Sequence, residues 1–142
     1  MSSPPRVSIL MPVHNEAVFL PAALSSLTKQ TLIEWELVVV DDGSSDATPE
    51  MLAEAALRDP RIRVIRQNSD GLVHALNAGL AACRAPIIAR MDGDDICHPR
   101  RLECQVAFLD ANPNIGLAAC NCRHWYPALI LRYRLCINYF IL

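Results

Sequence analysis

The sequence predicts an α/β fold in which helices flank a mostly parallel sheet. Short apolar runs without polar alternation recur along the chain, and such runs are typical of strands buried on both faces. Segments with helical spacing separate these runs, as the crossovers between parallel strands require. A cluster of polar residues follows each apolar run, at the expected carboxyl end of each strand.

The first half of the chain alternates strand, helix, strand and helix. Val7–Val13 is the first apolar run, and residues 17–30 carry apolar side chains at the spacing of one helix face. Residues 37–40 predict a second strand, and the turn formers of residues 41–46 predict a loop. A helix then begins at Thr48-Pro49, because proline is favoured in the first turn, and it ends near residue 57.

The second half repeats this pattern. Residues 62–66 and 87–89 predict a third and a fourth strand, with a helix over residues 71–83 between them. His98-Pro99 begins a last helix, which ends near residue 109. The connections are short enough for right-handed crossovers between parallel strands.

Four polar clusters follow the four predicted strands: residues 12–16, 41–46, 68–71 and 92–95. In open α/β sheets, ligands bind in a crevice at the carboxyl ends of the strands. We therefore expect these clusters, which are distant in sequence, to meet in one binding site.

The densest cluster is Asp92-Gly93-Asp94-Asp95, with three carboxylates in four residues. A hard divalent ion such as Mg²⁺ or Mn²⁺ commonly binds through one or two carboxylates together with the phosphates of a substrate. Asp92 and Asp94 suit that role. A solvated turn is the alternative, since Asp and Gly are common turn residues.

The acidic loop before the second helix has a similar ambiguity. A carboxylate at a strand end can accept a hydrogen bond from a ribose hydroxyl or a base N–H, and Asp42 is predicted for this contact, with Asp41 in a structural or ribose role. Asp46 instead suits a cap of the following helix. Glu16 is expected either in the first turn of the first helix, which favours an acid, or in contact with a nucleotide.

Composition limits the function classes. The 142 residues, 52% hydrophobic and 20% charged, suit one compact domain. A net charge of −2 argues against nucleic-acid binding through a basic surface. No run reaches the roughly 20 apolar residues of a membrane-spanning helix. The six scattered cysteines predict free thiols in a reducing cytoplasm.

Three other enzyme classes can be weighed from their motifs. The loops G-x-G-x-x-G and G-x-x-x-x-G-K-[ST] do not occur, which argues against a dinucleotide dehydrogenase and a P-loop NTPase. A haloacid-type phosphatase needs a lysine downstream of its Asp-x-Asp, and the only lysine is Lys29. A nucleotidyltransferase has the same fold type and metal carboxylates, and it stays open as an alternative.

Five sequence blocks, in order, resemble glycosyltransferase family 2. They are VSILMPVHNE at 7–16, QT at 30–31, ELVVVDDGSSD at 36–46, ALNAG at 75–79, and ARMDGDD with PRRL within 89–102. The resemblance covers about residues 6–121. It implies a GT-A fold, a nucleoside-diphosphate sugar donor, usually UDP-linked, and inverting transfer to a glycan or lipid-linked acceptor with Mg²⁺ or Mn²⁺. Cell-envelope or exopolysaccharide synthesis is the expected process.

The resemblance also implies roles for individual residues. The implied nucleotide-sugar-binding residues are Pro12, His14, Glu16, Asp41, Asp42, Asn77, Gly79 and Asp92, and the implied metal ligands are Asp92 and Asp94. His14 stands where tyrosine is more usual, and Asp42 matches the acid that reads the base. Asn77 and Gly79 match a segment that lies over the donor. In the Asp-x-Asp pair, Asp94 is the better metal ligand, and its partner faces the ribose and diphosphate.

The chain departs from the family pattern near residue 122. All fifteen Asp and Glu residues lie at or before Asp110, so the downstream carboxylate that serves the family as general base has no match. Residues 1–122 are therefore expected to form a partial nucleotide-sugar-binding domain, a GT-A fold incomplete at its C-terminus. Residues 123–142 are expected to form an atypical apolar and basic tail.

Three interpretations of the tail stay open: a last core element, an arginine-bearing helix at a membrane surface, or the product of truncation or a frame shift. An inactive domain that only binds nucleotide is accordingly the alternative to an active transferase. The expected location is the cytoplasm, with peripheral attachment to the inner face of the membrane left open.

Overall fold

The computed structural model describes residues 4–120 and 140–141, which form a single sheet with four helices. The strands are β1 (Val7–Val13), β2 (Trp35–Asp42), β3 (Ile62–Gln67), β4 (Ile87–Arg90), β5 (Leu117–Ala118) and β6 (Phe140–Ile141). The helices are α1 (Leu20–Thr28), α2 (Thr48–Arg58), α3 (Leu72–Ala82) and α4 (Arg101–Ala111).

The strand order is β3-β2-β1-β4-β6-β5. The first four strands are parallel, which confirms the predicted α/β class. The two-residue strand β6 pairs antiparallel with both β4 and β5, so the sheet is mixed at that edge. Of the predicted tail, residues 123–139 and 142 lie outside the described residues, while residues 140–141 form β6.

The two faces of the sheet pack against different helices, because successive side chains of a strand point to opposite faces. On one face, Ile9 and Val39 belong to the main core, which α1, α2 and α4 complete. On the other face, Leu10 and Val40 pack against Ala75 of α3. Helix α3 alone covers this second face among the described helices, and the carboxyl ends of the strands extend beyond it.

Helix α3 approaches the sheet closely at Gly79. A Cβ atom at this position would lie 2.2 Å from Cδ1 of Leu10 and 2.8 Å from Cγ2 of Val40. Both distances are shorter than van der Waals contact, so any side chain at position 79 would displace its neighbours. Because glycine has no side chain, α3 can lie this close to the sheet at position 79.

One predicted boundary was wrong in a way that affects the site. Asp41 and Asp42, predicted in a loop, are the last two residues of β2. They stay in the strand because they pair in register with Arg66 and Gln67 of β3. Their side chains therefore point to opposite faces of the sheet.

Helix boundaries also differ from the predicted ones. Helix α1 begins at Leu20 rather than at residue 17, so Glu16 precedes the helix and is not in its first turn. The carbonyl oxygen of Glu16 accepts a hydrogen bond from the backbone N–H of Leu20 at 2.9 Å. Helix α4 likewise begins later, at Arg101. The N-cap residue of α2 is Ala47 rather than the predicted Asp46, although Oδ1 of Asp46, one residue earlier, accepts the backbone N–H of Thr48 at 2.9 Å.

A buried carboxylate lies on the α3 face, near the amino ends of the strands. Glu36 accepts hydrogen bonds from Oγ of Ser8 at 2.7 Å, and from the backbone N–H and Nε of Arg84 at 2.7 and 2.8 Å. Nη1 of Arg63 lies 3.3 Å from the same carboxylate. Burial raises the pKa of Glu36, but these hydrogen bonds outweigh it and hold the pKa below its usual value.

Candidate functional site

A cleft of about 280 Å³ lies at the carboxyl ends of β1, β2 and β4. The residues that line it are Pro12, Val13, His14, Glu16, Asp42, Leu72, Ala75, Arg90, Asp92, Gly93 and Asp94. Three of the four predicted polar clusters thus contribute to one cleft. The fourth cluster, residues 68–71, donates backbone hydrogen bonds to the carboxylate of Asp42, which lines the cleft. The position agrees with the expectation that ligands of an α/β sheet bind at this edge.

Asn15 joins the segments that follow β1 and β2. Its backbone is left-handed, with φ of 56°, a conformation that Asn adopts more readily than most residues. Its Oδ1 atom accepts the backbone N–H of Ser45 at 2.8 Å, and its own backbone N–H donates to Oγ of Ser44 at 2.8 Å. These hydrogen bonds hold the segment after β1 against the segment after β2.

The same residue helps to fix His14. Nδ1 of His14 lies 2.7 Å from the backbone carbonyl oxygen of Asp42, and Nε2 lies 3.1 Å from Nδ2 of Asn15. A carbonyl oxygen can only accept, so Nδ1 carries the proton and Nε2 accepts from the amide. Hydrogen bonds therefore hold the His14 ring in place at both of its nitrogens.

The Asp42 carboxylate accepts three hydrogen bonds from the protein. Oδ1 accepts Nε2 of Gln67 and the backbone N–H of Asp70, both at 2.7 Å, and Oδ2 accepts the backbone N–H of Gly71 at 2.9 Å. These donors, Gln67 first, hold the pKa of Asp42 below its usual value despite desolvation. A carboxylate has about four acceptor positions, so one position on Oδ2 is left for a ligand.

The acids of the Asp92–Asp95 turn have different tasks. Oδ2 of Asp95 accepts the backbone N–H of Asp92 at 3.2 Å, and the backbone N–H of Asp95 donates to the carbonyl of Asp92 at 3.1 Å. Asp95 therefore closes the turn, while Asp92 and Asp94 line the cleft. Between them, a Cβ on Gly93 would lie 3.1 Å from Cγ of Glu16, so glycine lets the Glu16 side chain pack over the turn.

Glu16, Asp92 and Asp94 form an acidic group in the cleft. Burial raises the pKa of Glu16, and the nearby charges of Asp94 and Asp92 raise it further. Burial also raises the pKa of Asp92, and the charge of Arg90 opposes this rise. In contrast to Asp42, the ionised forms of Glu16 and Asp92 are destabilised, and a cation in the cleft would stabilise them.

Three predicted site residues do not line the cleft. Asp41 is buried on the other face of the sheet, where Oδ1 accepts the backbone N–H of Ser44 at 2.9 Å and Oδ2 lies 3.6 Å from Nε of Arg66. Asn77 is exposed on α3, and Gly79 is buried between α3 and the sheet. The structure therefore gives Asp41 and Gly79 structural contacts, and their predicted donor roles stay predictions, as does that of Asn77.

Arg90 is a cleft residue that sequence reasoning missed. Its Nη2 atom lies 3.1 Å from Oδ1 and 3.4 Å from Oδ2 of Asp92. The alternation of side chains along a strand could have identified it. Arg90 is two residues before Asp92 and two after Ile88, so the three side chains are expected on the same face of β4 and of its continuation. Leu72 and Ala75 of α3 were missed as well, since an apolar helix face gives no sign of a nearby ligand.

The family model described as Glycosyl transferase family 2 matches residues 8–127. The chain belongs to glycosyltransferase family 2. AmsE of Erwinia amylovora, named an amylovoran biosynthesis glycosyltransferase, is 37% identical over 114 residues, which are 78% of this chain and 43% of AmsE. EpsH of Bacillus subtilis strain 168, which has a provisional glycosyltransferase name, is 37% identical over 117 residues, 82% of this chain and 33% of EpsH. This family 2 chain thus spans a third to less than half of the length of these two relatives.

Solved structures show the same fold. The mannosyltransferase PcManGT from Pyrobaculum calidifontis, in complex with GDP-Man and Mn²⁺, matches the family 2 chain with a TM-score of 0.77 and 28% identity, over 87% of this chain and 37% of PcManGT. Residues 1–349 of S. aureus TarS match with a TM-score of 0.76 and 24% identity, over 96% of this chain and 46% of that one. The predicted GT-A fold is confirmed.

Two kinds of feature are absent from the part of this family 2 chain that the structure describes. Within residues 4–120 and 140–141, no three or more His, Cys, Asp or Glu side chains form a group that could hold a metal ion. No helix in these ranges has the length and apolar character needed to cross a bilayer. The described cysteines, Cys83, Cys97, Cys104 and Cys120, form no disulfide with one another.

Proposed function

We propose that this family 2 chain is the donor-binding part of a glycosyltransferase that binds a nucleoside-diphosphate sugar together with Mg²⁺ or Mn²⁺. The observation that carries the proposal is the meeting, in one cleft, of a hydrogen-bonded carboxylate, Asp42, with the acidic group of Glu16, Asp92 and Asp94. Membership of family 2 supports it, and so does the complex of PcManGT with GDP-Man and Mn²⁺.

The nucleoside binds at the Asp42 end of the cleft. Gln67 and the backbone after β3 hold this carboxylate in the ionised form, so it can only accept hydrogen bonds. Its remaining acceptor position suits a base that offers an N–H, as uracil does, or a ribose hydroxyl. UDP is therefore the expected nucleotide, with Pro12 and His14 forming the adjacent wall.

The diphosphate and the cation bind at the Asp92–Asp94 end. Mg²⁺ and Mn²⁺ take oxygen ligands, and Mg²⁺ commonly binds one or two carboxylates plus substrate phosphates. This fits a turn from which two carboxylates, those of Asp92 and Asp94, line the cleft. Asp94, the exposed member, would hold the ion, and Asp92 would face the ribose and diphosphate. When bound, the cation neutralises the charge that develops on the leaving diphosphate.

Transfer by direct displacement inverts the anomeric carbon and needs a base that takes the proton of the acceptor hydroxyl. The sequence has no Asp or Glu beyond Asp110, so no residue is assigned to this role. The cleft accounts for the donor side of the reaction. The proposed acceptor is a glycan or lipid-linked hydroxyl in polysaccharide synthesis, which is supported by the description of AmsE as an amylovoran biosynthesis glycosyltransferase.

Titration calorimetry of the chain with UDP, in Mn²⁺ and in EDTA, tests the proposal. UDP is expected to bind only with the cation, and Asp94→Ala should weaken this binding about tenfold or more, since the diphosphate and the carboxylate share one counter-charge. Asp110→Ala, which removes an exposed acid paired with Arg6 outside the cleft, is the matched control and should leave UDP affinity unchanged. Equal UDP affinity in Mn²⁺ and EDTA would refute the proposal.

A further inference from the structure

Among the described residues that line the cleft, Arg90 is the only Lys or Arg. It is the last residue of β4, and its side chain is 33% exposed. Its Nη2 atom reaches both oxygens of the Asp92 carboxylate, at 3.1 and 3.4 Å. Among the described residues of the cleft wall, the one Lys or Arg side chain is thus directed at one member of the acidic group.

The backbone of Arg90 is firmly held. It pairs in register with Leu10 of β1, and its carbonyl oxygen accepts Nη2 of Arg101 at 3.0 Å. The contact with Asp92 therefore begins from a fixed strand position, unlike a contact between two freely moving surface side chains. Nε of Arg90 is buried without a hydrogen-bond partner among the described residues, which is an unfavourable arrangement that the ion pair with Asp92 offsets.

We propose that Arg90 is a positioning residue that makes cation binding depend on the nucleotide. It occupies Asp92 and offsets part of the negative charge of the cleft, so the cleft alone attracts a divalent ion weakly. A nucleoside diphosphate adds phosphate oxygens, which bind the ion together with Asp94, and its negative charge is attracted to the guanidinium. The proposal rests on the proposed function, because it concerns the same nucleotide and ion.

Arg90→Gln separates this role from a structural one. Two affinities are measured by titration calorimetry on the whole chain: that of Mn²⁺ alone, and that of UDP at saturating Mn²⁺. Mn²⁺ alone should bind about three- to tenfold more tightly, because one opposing charge is lost and Asp92 is released, whereas UDP should bind more weakly by a similar factor. A structural defect would weaken both affinities, and so would not produce opposite changes.

Two further variants complete the test. Arg6→Gln removes the same charge from an exposed pair with Asp110 and should leave both affinities unchanged. Arg90→Lys keeps the charge but loses the planar guanidinium, so Mn²⁺ affinity should stay near that of the original chain while UDP affinity falls. This second variant decides the question if Arg90→Gln does not fold, which thermal unfolding reports.

The outcomes distinguish two failures. If the unaltered chain binds UDP with Mn²⁺ but Arg90→Gln leaves the affinity for Mn²⁺ alone unchanged or lower, the inference about Arg90 is wrong and the proposed function stands. An Arg90→Lys variant with undiminished UDP affinity would also overturn the inference. If the unaltered chain shows no Mn²⁺-dependent UDP binding, the proposed function fails, and the role of Arg90 fails with it.

Discussion

The Asp42 carboxylate is expected to give the cleft its nucleoside selectivity, and Asp42→Asn tests this role. The substitution preserves the size of the side chain and one oxygen, which can still accept from Gln67 and Asp70 in the place of Oδ1. The amide nitrogen then replaces Oδ2. Because that nitrogen can only donate, it would face the N–H of Gly71 and would no longer accept from a ligand.

The expected loss of UDP affinity is about 10- to 100-fold, the effect of removing a hydrogen bond to a charged acceptor and leaving two donors opposed. Inorganic pyrophosphate carries no base or ribose, so its affinity in Mn²⁺ should change by less than about threefold. The substitution should therefore change the ratio of the two affinities, and that ratio is the quantity that reports selectivity.

Titration calorimetry with both ligands measures the ratio, with Asp41→Asn as the matched control. Asp41 is the neighbouring acid on the same strand, but it points to the other face and does not line the cleft. The Asp41→Asn substitution should therefore leave the ratio of the two affinities unchanged. Equal weakening of UDP and pyrophosphate by Asp42→Asn, or an equal change of the ratio by Asp41→Asn, would refute the assignment of Asp42 as the residue that reads the nucleoside.

Two further predictions concern stability, measured by urea unfolding. Because the pKa of Glu36 is lowered by folding, its ionised form contributes stability above the usual value of 4.5, and this contribution is lost as the pH falls through the lower folded pKa. Glu36→Gln should cost about 1–3 kcal/mol at pH 7 and lessen the decline below pH 4.5; an unchanged acid profile would contradict this. Gly79→Ala gains about 1 kcal/mol of helix propensity but crowds Leu10 and Val40 at a cost of about 1–3 kcal/mol, so net destabilisation is expected, and a more stable variant would show that α3 can shift.

The sequence predicted the parallel strands well because the sheet is buried on both faces. All seven residues of β1 are buried, and Ser8 is the one serine in a run that is otherwise apolar, so the strand was recognisable from the sequence. The end of β2 was not predicted, since Asp and Gly locally favour turns. Pairing with β3 overrides that local preference at Asp41 and Asp42, and a single sequence does not show how far a neighbouring strand extends.

The site was predictable where strand ends and polar clusters coincide. Pro12, His14, Asp42 and the Asp-x-Asp pair line one cleft because parallel strands end at a common edge. The donor roles implied for Asn77 and Gly79 rest on the sequence resemblance alone. In the structure Gly79 contacts the sheet, and Asn77, two residues earlier, is about half a helical turn away and exposed.

The face of the sheet under α3 has three layers. At the amino ends of the strands lies the polar network of Ser8 and Glu36, and in the middle lies the apolar contact of Leu10 and Val40 with α3. At the carboxyl ends lies the cleft, which begins where α3 begins, at Leu72. The polar residues of the site are therefore direct continuations of strands whose middle residues form the core.

This layering also explains what sets the register of β2. Its middle residues are apolar on both faces, so a slip by one residue would still bury apolar side chains and would not be opposed by the core alone. The polar contacts at its two ends oppose such a slip, because it would separate Glu36 from Ser8 and Asp42 from Gln67. The same slip would move Asp42 away from the cleft, so the contacts that select the correct register also place the acid that we expect to read the nucleoside.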